Sequence, residues 1–119
     1  MRSLHSFSRV YLCRQAVDGR KHINTLAALV EQEMGMTPFD GSLFVFINKG
    51  RDVLKLLYFD RTGFALWLKR LEKDRFKFVV GQQSAKSMSL TVRQLELMLD
   101  GYDIFKMKAH EPVQYTRCV

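Results

Sequence analysis

The chain has 119 residues, of which 47% are hydrophobic and 12% aromatic, so it is long enough for one core and too apolar for intrinsic disorder. Its 19 Lys and Arg outnumber its 12 Asp and Glu, and the net charge of +7 makes a polyanion the first partner to consider. No apolar run approaches the roughly twenty residues of a membrane span or the core of a signal peptide. We therefore expect a soluble, cytoplasmic protein with one domain over residues 1–119, a compact core at about 9–101 and a tail at 102–119.

The first third of the chain predicts a strand and the main helix. Residues 9–13 are short and rich in strand formers. Asp18 follows at a position where it can cap a helix. A stripe of apolar residues at helical spacing then predicts a helix over 20–34. Gly35 is suited to end this helix in the left-handed conformation, and Pro38 cannot continue it.

The middle of the chain predicts an antiparallel meander. Residues 43–47 and 53–59 are two strand candidates joined by a turn at 48–50. A second turn at 60–63 leads into a third candidate at 64–71. Strict alternation of basic and apolar residues at 75–79 predicts a fourth strand, with its phenylalanines on one face.

The last third predicts a polar loop followed by a short helix. Residues 81–89 are mostly polar, and Thr91 with Gln94 has the spacing of a capping box for a helix over 92–100 that ends at Gly101. The predicted fold class is α+β. An antiparallel meander sheet of four to five strands packs against one main helix, and the second, short C-terminal helix caps one end.

The positive charge is concentrated in the meander. Residues 49–77 carry nine bases and four acids, whereas residues 22–48 carry three acids and no Lys or Arg. Bases that contact phosphates, with aromatic side chains for stacking, are one solution to nucleic-acid binding; the alternative is an ordinary solvated sheet face. The candidate nucleic-acid-binding residues are Arg20, Lys21, Lys49, Arg51, Lys55, Arg61, Lys69, Arg70, Arg75 and Lys77. If the sheet instead docks a protein, exposed Tyr58 or Trp67 would be the interface anchor.

Motifs for catalysis or metal binding are absent from the sequence. The three histidines are far apart, no glycine-rich phosphate loop occurs, and Cys13 and Cys118 lie at opposite ends, which is typical of free thiols. Four acids of the meander stand at turns beside bases, so local ion pairs explain them better than the metal site of a nuclease: Asp52, Asp60, Glu72 and Asp74. We expect no enzymatic activity, no cofactor and no metal.

Several segments in fixed order resemble one bacterial family. They are Arg9-Val10-Tyr11-Leu12, Asp18-x-Arg20-Lys21-x-Ile23-Asn24-x-Leu26, Leu43-Phe44-Val45-Phe46-Ile47-Asn48-x-x-Arg51-Asp52-x-Leu54-Lys55, Leu57-Tyr58-Phe59-Asp60-x-Thr62-Gly63-Phe64 and Trp67-x-Lys69-Arg70-Leu71-Glu72-x-x-Arg75-Phe76. This chain is similar to the small accessory proteins (TnpB, Orf2-like) of the sixty-sixth insertion-sequence family, from about residue 9 to 101. Gly19 and His22 depart from the family pattern, and the permissive glycine predicts a looser entry to the first helix.

The resemblance implies a non-enzymatic accessory factor of DNA transposition. Such a factor acts beside a separate, larger transposase of the same element. Together with the charge of the meander, this gives the leading hypothesis of a factor that binds DNA through a basic sheet face, assists the transposase, or does both. The expected partners are therefore DNA and that transposase. The alternative is a protein-interaction module that docks the transposase or a sister subunit without touching DNA.

Overall fold

Five strands form one mixed sheet that is covered by helices on both faces. The computed structural model describes residues 2–77 and 85–107, with only the backbone of 106 and 107. The elements in chain order are β1 (Val10–Cys13), α1 (Ile23–Gln32), β2 (Leu43–Ile47), β3 (Val53–Asp60), β4 (Gly63–Arg70), β5 (Ser87–Leu90), α2 (Val92–Leu99) and α3 (Ile104–Met107). The predicted α+β class, with one main helix and a short C-terminal helix, is confirmed. None of the helices in the described part of the chain is long and apolar enough to span a membrane.

The sheet has the order β4-β3-β2-β1-β5 and is mostly antiparallel. The exception is the pair β1 and β2, which run parallel because α1 carries the chain back across the sheet between them. The β2–β3 and β3–β4 hairpins follow the predicted meander. β2 is therefore the central strand, with two strands on either side.

Two hydrophobic cores lie on opposite faces of the sheet. On one face Leu26 and Val30 of α1 pack against the even-numbered positions of β2, Phe44 and Phe46. On the other face Leu95 and Met98 of α2 pack against Leu43, Val45 and Ile47. This two-sided burial is why residues 43–47 form an uninterrupted apolar run. Helix α2 thus covers the face opposite to α1 instead of capping one end of the sheet.

The main helix begins later than predicted. Its N-cap is His22, whose side chain makes no capping hydrogen bond, so Asp18 does not cap it. Asp18 instead accepts a hydrogen bond from the backbone N–H of Arg20 at 2.9 Å and pairs with the Arg20 guanidinium at 2.8 Å. The helix ends as expected before Gly35, which has a left-handed φ of 66°. The helix is therefore three residues shorter than the predicted 20–34 at its start and two residues shorter at its end.

The predicted fourth strand over 75–79 is wrong for the residues described, and the fifth strand was missed. Residues 75–77 have no strand structure: the Phe76 N–H donates to the Arg51 carbonyl in the β2–β3 turn, and its ring is buried in the α2-side core. Phe78 and Val79 lie outside the described residues. Strand β5 occupies the end of the predicted loop at 81–89, of which 81–84 are not described. It pairs antiparallel with β1, and Met88 and Leu90 alternate with serines along it.

The C-terminal helix follows its sequence signal closely. Thr91 Oγ1 accepts from the backbone N–H of Gln94 at 3.0 Å, and Gln94 Oε1 accepts from that of Thr91 at 2.9 Å, which confirms the capping box. Gly101 ends α2 with a φ of 93°. The core extends beyond the expected 9–101, since Phe7 and Ile104 are also buried in it.

Candidate nucleic-acid interface

The β2–β3 turn is fixed by the side chain of Asn48. Its Oδ1 accepts hydrogen bonds from the backbone N–H groups of Asp52 and Val53, each at 3.0 Å, and its Nδ2 donates to Asp52 Oδ1 at 2.7 Å. This last bond, more than the nearby guanidinium groups, lowers the pKa of Asp52. The turn therefore presents exposed Lys49 and Arg51 on a hydrogen-bonded frame.

The loop before α1 lies against this turn. Val17 forms a parallel bridge with Asn48, and its N–H donates to the Ile47 carbonyl at 2.9 Å. Lys55 of β3 donates through Nζ to the carbonyls of Gly19 at 2.6 Å and Lys21 at 2.7 Å. These bonds bring the exposed Arg20 and Lys21 to the same end of the sheet as the turn.

The chain after β4 folds over the other side of the same turn. The Leu71 N–H donates to the Asp52 carbonyl at 2.8 Å, and the Phe76 N–H donates to the Arg51 carbonyl at 2.6 Å. Arg75 Nη1 donates to the Gly50 carbonyl at 2.7 Å. With Phe76 buried beneath it, this segment brings its bases beside Lys49 and Arg51.

We call this assembly of residues 17–21, 48–53 and 70–77 the basic end. Its bases are Arg20, Lys21, Lys49, Arg51, Arg70, Lys73, Arg75 and Lys77. Its acids are Asp18, Asp52, Glu72 and Asp74, so its net charge is +4. Seven of the ten candidate nucleic-acid-binding residues come together here, and the structure adds Lys73.

Three candidates lie elsewhere. Lys55 is only 4% exposed, so it cannot reach a phosphate in this structure, and its burial lowers the pKa of its ammonium despite the attraction of Asp18. Lys69 points to the α2 side, where its Nζ donates to the Leu99 carbonyl at 2.9 Å. Arg61 occupies the β3–β4 turn at the opposite end of the hairpin, with a φ of 48°. Lys55 and Lys69 differ from the other candidates in the sheet face to which their side chains point, and Arg61 differs in the turn that it occupies. Composition does not reveal either difference.

Acids of the basic end pair with some of its bases. The ion pairs are Arg20–Asp18 at 2.8 Å, Arg70–Glu72 at 3.9 Å and Lys77–Asp74 at 4.0 Å. Hydrogen bonds from Arg20 hold the pKa of Asp18 well below its usual range. The five other bases form no ion pair with a described residue. Arg75 donates to the Gly50 carbonyl, and four side chains have neither an ion pair nor a hydrogen bond to a described residue: Lys21, Lys49, Arg51 and Lys73. Of the four acids expected to form local ion pairs, Glu72 and Asp74 do so, whereas Asp52 and Asp60 form none with a described residue.

The two predicted interface anchors have different surroundings. Tyr58 is 6% exposed and packs edge-to-face on Phe7, with ring centroids 5.1 Å apart, so the expectation that it is exposed is wrong. Trp67 is half-buried, packed against the α2-side core. Of the two residues, Trp67 is therefore the one whose side chain is accessible enough to remain a candidate interface anchor.

An aromatic cluster that the sequence did not reveal lies at the other end of β3 and β4. Phe39, Phe59 and Phe64 have ring centroids 5.2–5.3 Å apart, and Phe39 is 56% exposed. Phe39 comes from the loop between α1 and β2, so only the tertiary fold brings it to the hairpin. Within the described ranges, no group of three or more His, Cys, Asp or Glu side chains is placed to hold a metal ion.

Comparison with known proteins gives one family and two curated relatives. The family model described as IS66 Orf2-like protein matches residues 8–109. Two proteins of Sinorhizobium fredii (strain NBRC 101917 / NGR234), described as uncharacterized proteins y4hO and y4jC, are similar to this chain. The first is 32% identical over 95 residues, which cover 80% of this chain and 81% of the relative. The second is 34% identical over 106 residues, which cover 89% and 88%. No solved structure matches.

Proposed function

Because this chain belongs to the IS66 Orf2-like family, which implies an accessory role in transposition, we propose that it binds the phosphate backbone of DNA through the basic end. The observation that carries the proposal is the convergence of three basic segments on one hydrogen-bonded turn. Phosphate contacts of this kind supply affinity and position without base readout. The protein would act beside the transposase of its element.

The charge balance of the basic end supports this proposal. Eight bases against four acids leave an excess of four positive charges within three adjoining segments. The ion pairs there are exposed, and exposed pairs contribute only about 0–1 kcal/mol, so a phosphate can compete for their bases. Lys21, Lys49, Arg51 and Lys73 need break no ion pair with a described residue to make that contact.

The rigidity of the turn also supports it. Asn48 bonds to two backbone N–H groups and one carboxylate, while the 70–77 segment bonds to the carbonyls of Gly50, Arg51 and Asp52. Ordered backbone loses less conformational entropy on binding than a free loop does. The bases of the turn are therefore held in position before DNA arrives.

A salt titration of duplex binding tests the proposal. Fluorescence anisotropy of a labelled duplex carrying the element's terminal sequence gives the dissociation constant at several salt concentrations. If Lys21, Lys49, Arg51 and Lys73, whose side chains bond to no described residue, each neutralise one phosphate, log affinity should fall against log salt with a slope of about −3.6. A slope near zero, or no binding at low salt, would rule out the phosphate contact.

Arg51→Glu and Arg61→Glu form a matched pair for locating the contact. Arg51 and Arg61 are both exposed turn residues whose backbone has a left-handed φ, and the two substitutions change the net charge equally. The two residues lie at opposite ends of β3. Arg51→Glu should weaken duplex binding and reduce the slope by about 0.9, whereas Arg61→Glu should leave both near the wild-type values. Equal effects of the two variants would show that only the overall charge matters.

The alternation of acids and bases favours a second candidate, docking of the basic end on an acidic surface of the transposase. Asp18, Glu72 and Asp74 are interspersed with the bases, as on a surface that matches a patterned protein partner. Under this candidate the protein co-purifies with the transposase, Arg51→Glu weakens that association, and no duplex is bound at low salt. If the isolated chain binds a duplex and Arg51→Glu weakens that binding, the result would favour the first candidate, direct contact with DNA.

A further inference from the structure

Strand β4 is an edge strand that no described residue pairs with on its outer side. It is eight residues long and, among the described strands, bonds only to β3, while the other edge of the sheet is the four-residue β5. Alternate residues of an edge strand direct their N–H and C=O groups outward, so half of β4 offers unpaired backbone. A long edge of this kind is a template for pairing with another strand.

The usual devices that protect an edge strand are missing from most of β4. Its first six residues, Gly63 to Leu68, contain no charge and no proline. Lys69 could protect it, but its ammonium is turned to the Leu99 carbonyl on the α2 side. Leu68, the sixth of the eight residues of β4, is instead 52% exposed. The composition of β4 therefore favours pairing of its outer edge with another strand and does little to prevent it.

A cavity borders β4 on the α1 side. It has a volume of about 650 Å³ and lies between the first turn of α1 and Leu66. Leu66 and Leu68 are two residues apart, so both point to this face, where Leu66 packs against the α1-side core. The apolar lining of the cavity comes from Ile23 and Leu66, and its other lining residues are Arg20, His22, Asn24 and Thr25. The same edge thus carries a projecting leucine and, beside it, an open cavity with Leu66 in its wall.

The geometry points to self-association, in which β4 of two copies pairs antiparallel about a two-fold axis at Trp67 to form one ten-stranded sheet. A two-fold axis perpendicular to the sheet keeps the α1 face on the same side in both copies. In this register Leu68 of each copy lies opposite Leu66 of the other, where the cavity can receive it. The shape of the edge is therefore self-complementary.

The charges of β4 also fit a second copy in this orientation. The basic end of the strand is Arg70, which in this register lies opposite Phe64 of the other copy, within the aromatic cluster with Phe39 and Phe59. A guanidinium over aromatic rings is favourable, and the Arg70 side chain is exposed, with an ion pair of 3.9 Å to Glu72. A parallel arrangement would place the two copies of Arg70 side by side. Antiparallel pairing avoids that repulsion, which is why we favour it.

This inference goes beyond the proposed DNA contact. The two surfaces share Arg70 and the cavity-lining Arg20, but Leu68, the residue varied in the test, lies outside the basic end, so the two proposals can be tested separately. Sedimentation equilibrium of the full chain tests the stoichiometry, with an expected mass of twice 13.9 kDa at high concentration. Trp67 is the single tryptophan, so its emission reports the edge directly. Dilution should dissociate the dimer and shift that emission to longer wavelength as Trp67 gains water contact.

Leu68→Lys and Tyr102→Lys separate the edge from general hydrophobic association. Both place a lysine at a residue more than half exposed, but Tyr102 follows α2 and is not part of the β4 edge. Leu68→Lys should raise the dimer dissociation constant by about tenfold or more, since it places a charge at the paired edge, and Tyr102→Lys should leave it unchanged. If circular dichroism shows that Leu68→Lys is unfolded, Leu68→Thr, which retains strand propensity, replaces it.

Three results would overturn the inference. One is a chain that stays monomeric at the highest soluble concentration. Another is a dimer that a folded Leu68 variant leaves intact. The third is a monomer whose Trp67 emission shifts only when the transposase is added, which would assign the edge to that partner. None of these results bears on duplex binding, so failure here and failure of the proposed DNA contact are distinguishable.

Discussion

Replacing Lys55 by methionine should destabilise the fold although it removes a buried charge. The side chain extends under the loop that enters α1, where its ammonium donates to the carbonyls of Gly19 and Lys21 at 2.6 and 2.7 Å. Helix α1 has no side-chain cap at His22, so these bonds are a main tie between its entry and β3. Methionine keeps the length and apolar stem of the side chain and removes the donor.

The expected loss follows from two opposing contributions. Hydrogen bonds to a charged group are worth about 1.5–3 kcal/mol each. Part of this is offset because burial disfavours the charged ammonium, as its lowered pKa indicates, and because Gly19 and Lys21 are exposed enough for their carbonyls to gain water. We therefore expect a net loss of about 2 kcal/mol in the free energy of unfolding, or a fall in Tm of about 6–10 °C.

Urea unfolding followed by circular dichroism measures this loss, with Lys49→Met as the control. Lys49 is an exposed lysine in the neighbouring turn, so its replacement removes the same charge and should change stability by less than about 0.5 kcal/mol. A Lys55→Met variant as stable as Lys49→Met would refute the argument that the two carbonyl bonds hold the helix entry.

The pH dependence gives an independent check on Lys55. Its pKa is lowered from the ordinary 10.5 in the folded state, so between the two pKa values the unfolded chain binds more protons than the folded one. Stability then rises with pH across that window. The advantage of the wild type over Lys55→Met should therefore grow as the pH approaches 10.5, and an advantage that shrinks instead would contradict the lowered pKa.

Three further substitutions probe other parts of the structure. Thr91→Ala should cost about 1 kcal/mol in urea unfolding, because it removes the acceptor of the capping box with Gln94. The wild type should lose stability below about pH 4 as Asp18 is protonated and its bonds to Arg20 weaken; Asp18→Asn should flatten that acid limb of the stability curve. Phe76→Ala should cost about 3–5 kcal/mol in urea unfolding and expose residues 70–77 to limited proteolysis, because Phe76 is buried in the core.

The elements that could be predicted from the sequence are those with local signals. Helix α2 has its capping box and Gly101, and the β2–β3 hairpin has its turn at Asn48 between two apolar runs. Strand β5 has only four residues and belongs to the sheet through β1, which lies far away in the sequence. The parallel pairing of β1 with β2 also depends on where α1 crosses the sheet, which periodicity alone does not give.

The candidate site shows the same division between local and non-local information. The exposure of Lys49 and Arg51 could be predicted because residues in a turn are exposed regardless of which elements cover the faces of the sheet. Lys55 was wrongly predicted to contact DNA, because its role depends on the α1 entry loop, which is distant in the sequence. A local signal did exist: Lys55 lies two residues from buried Leu57, so both side chains are on the same, apolar face of β3. A lone lysine on an apolar strand face, with apolar neighbours at i±2, is the signal that predicts a buried ammonium.

Arg70 is the residue at which the two proposed surfaces meet, since it belongs both to the basic end and to the β4 edge. If self-association moves its guanidinium onto the aromatic cluster of a second copy, each basic end loses one of its eight bases. The salt slope of duplex binding should then change by no more than about 0.9 per copy. The four bases from which the expected slope is calculated, Lys21, Lys49, Arg51 and Lys73, lie outside β4. Leu68→Lys should therefore weaken pairing by about tenfold or more while leaving the salt dependence close to that of the wild type, so the two surfaces can be measured separately on one chain.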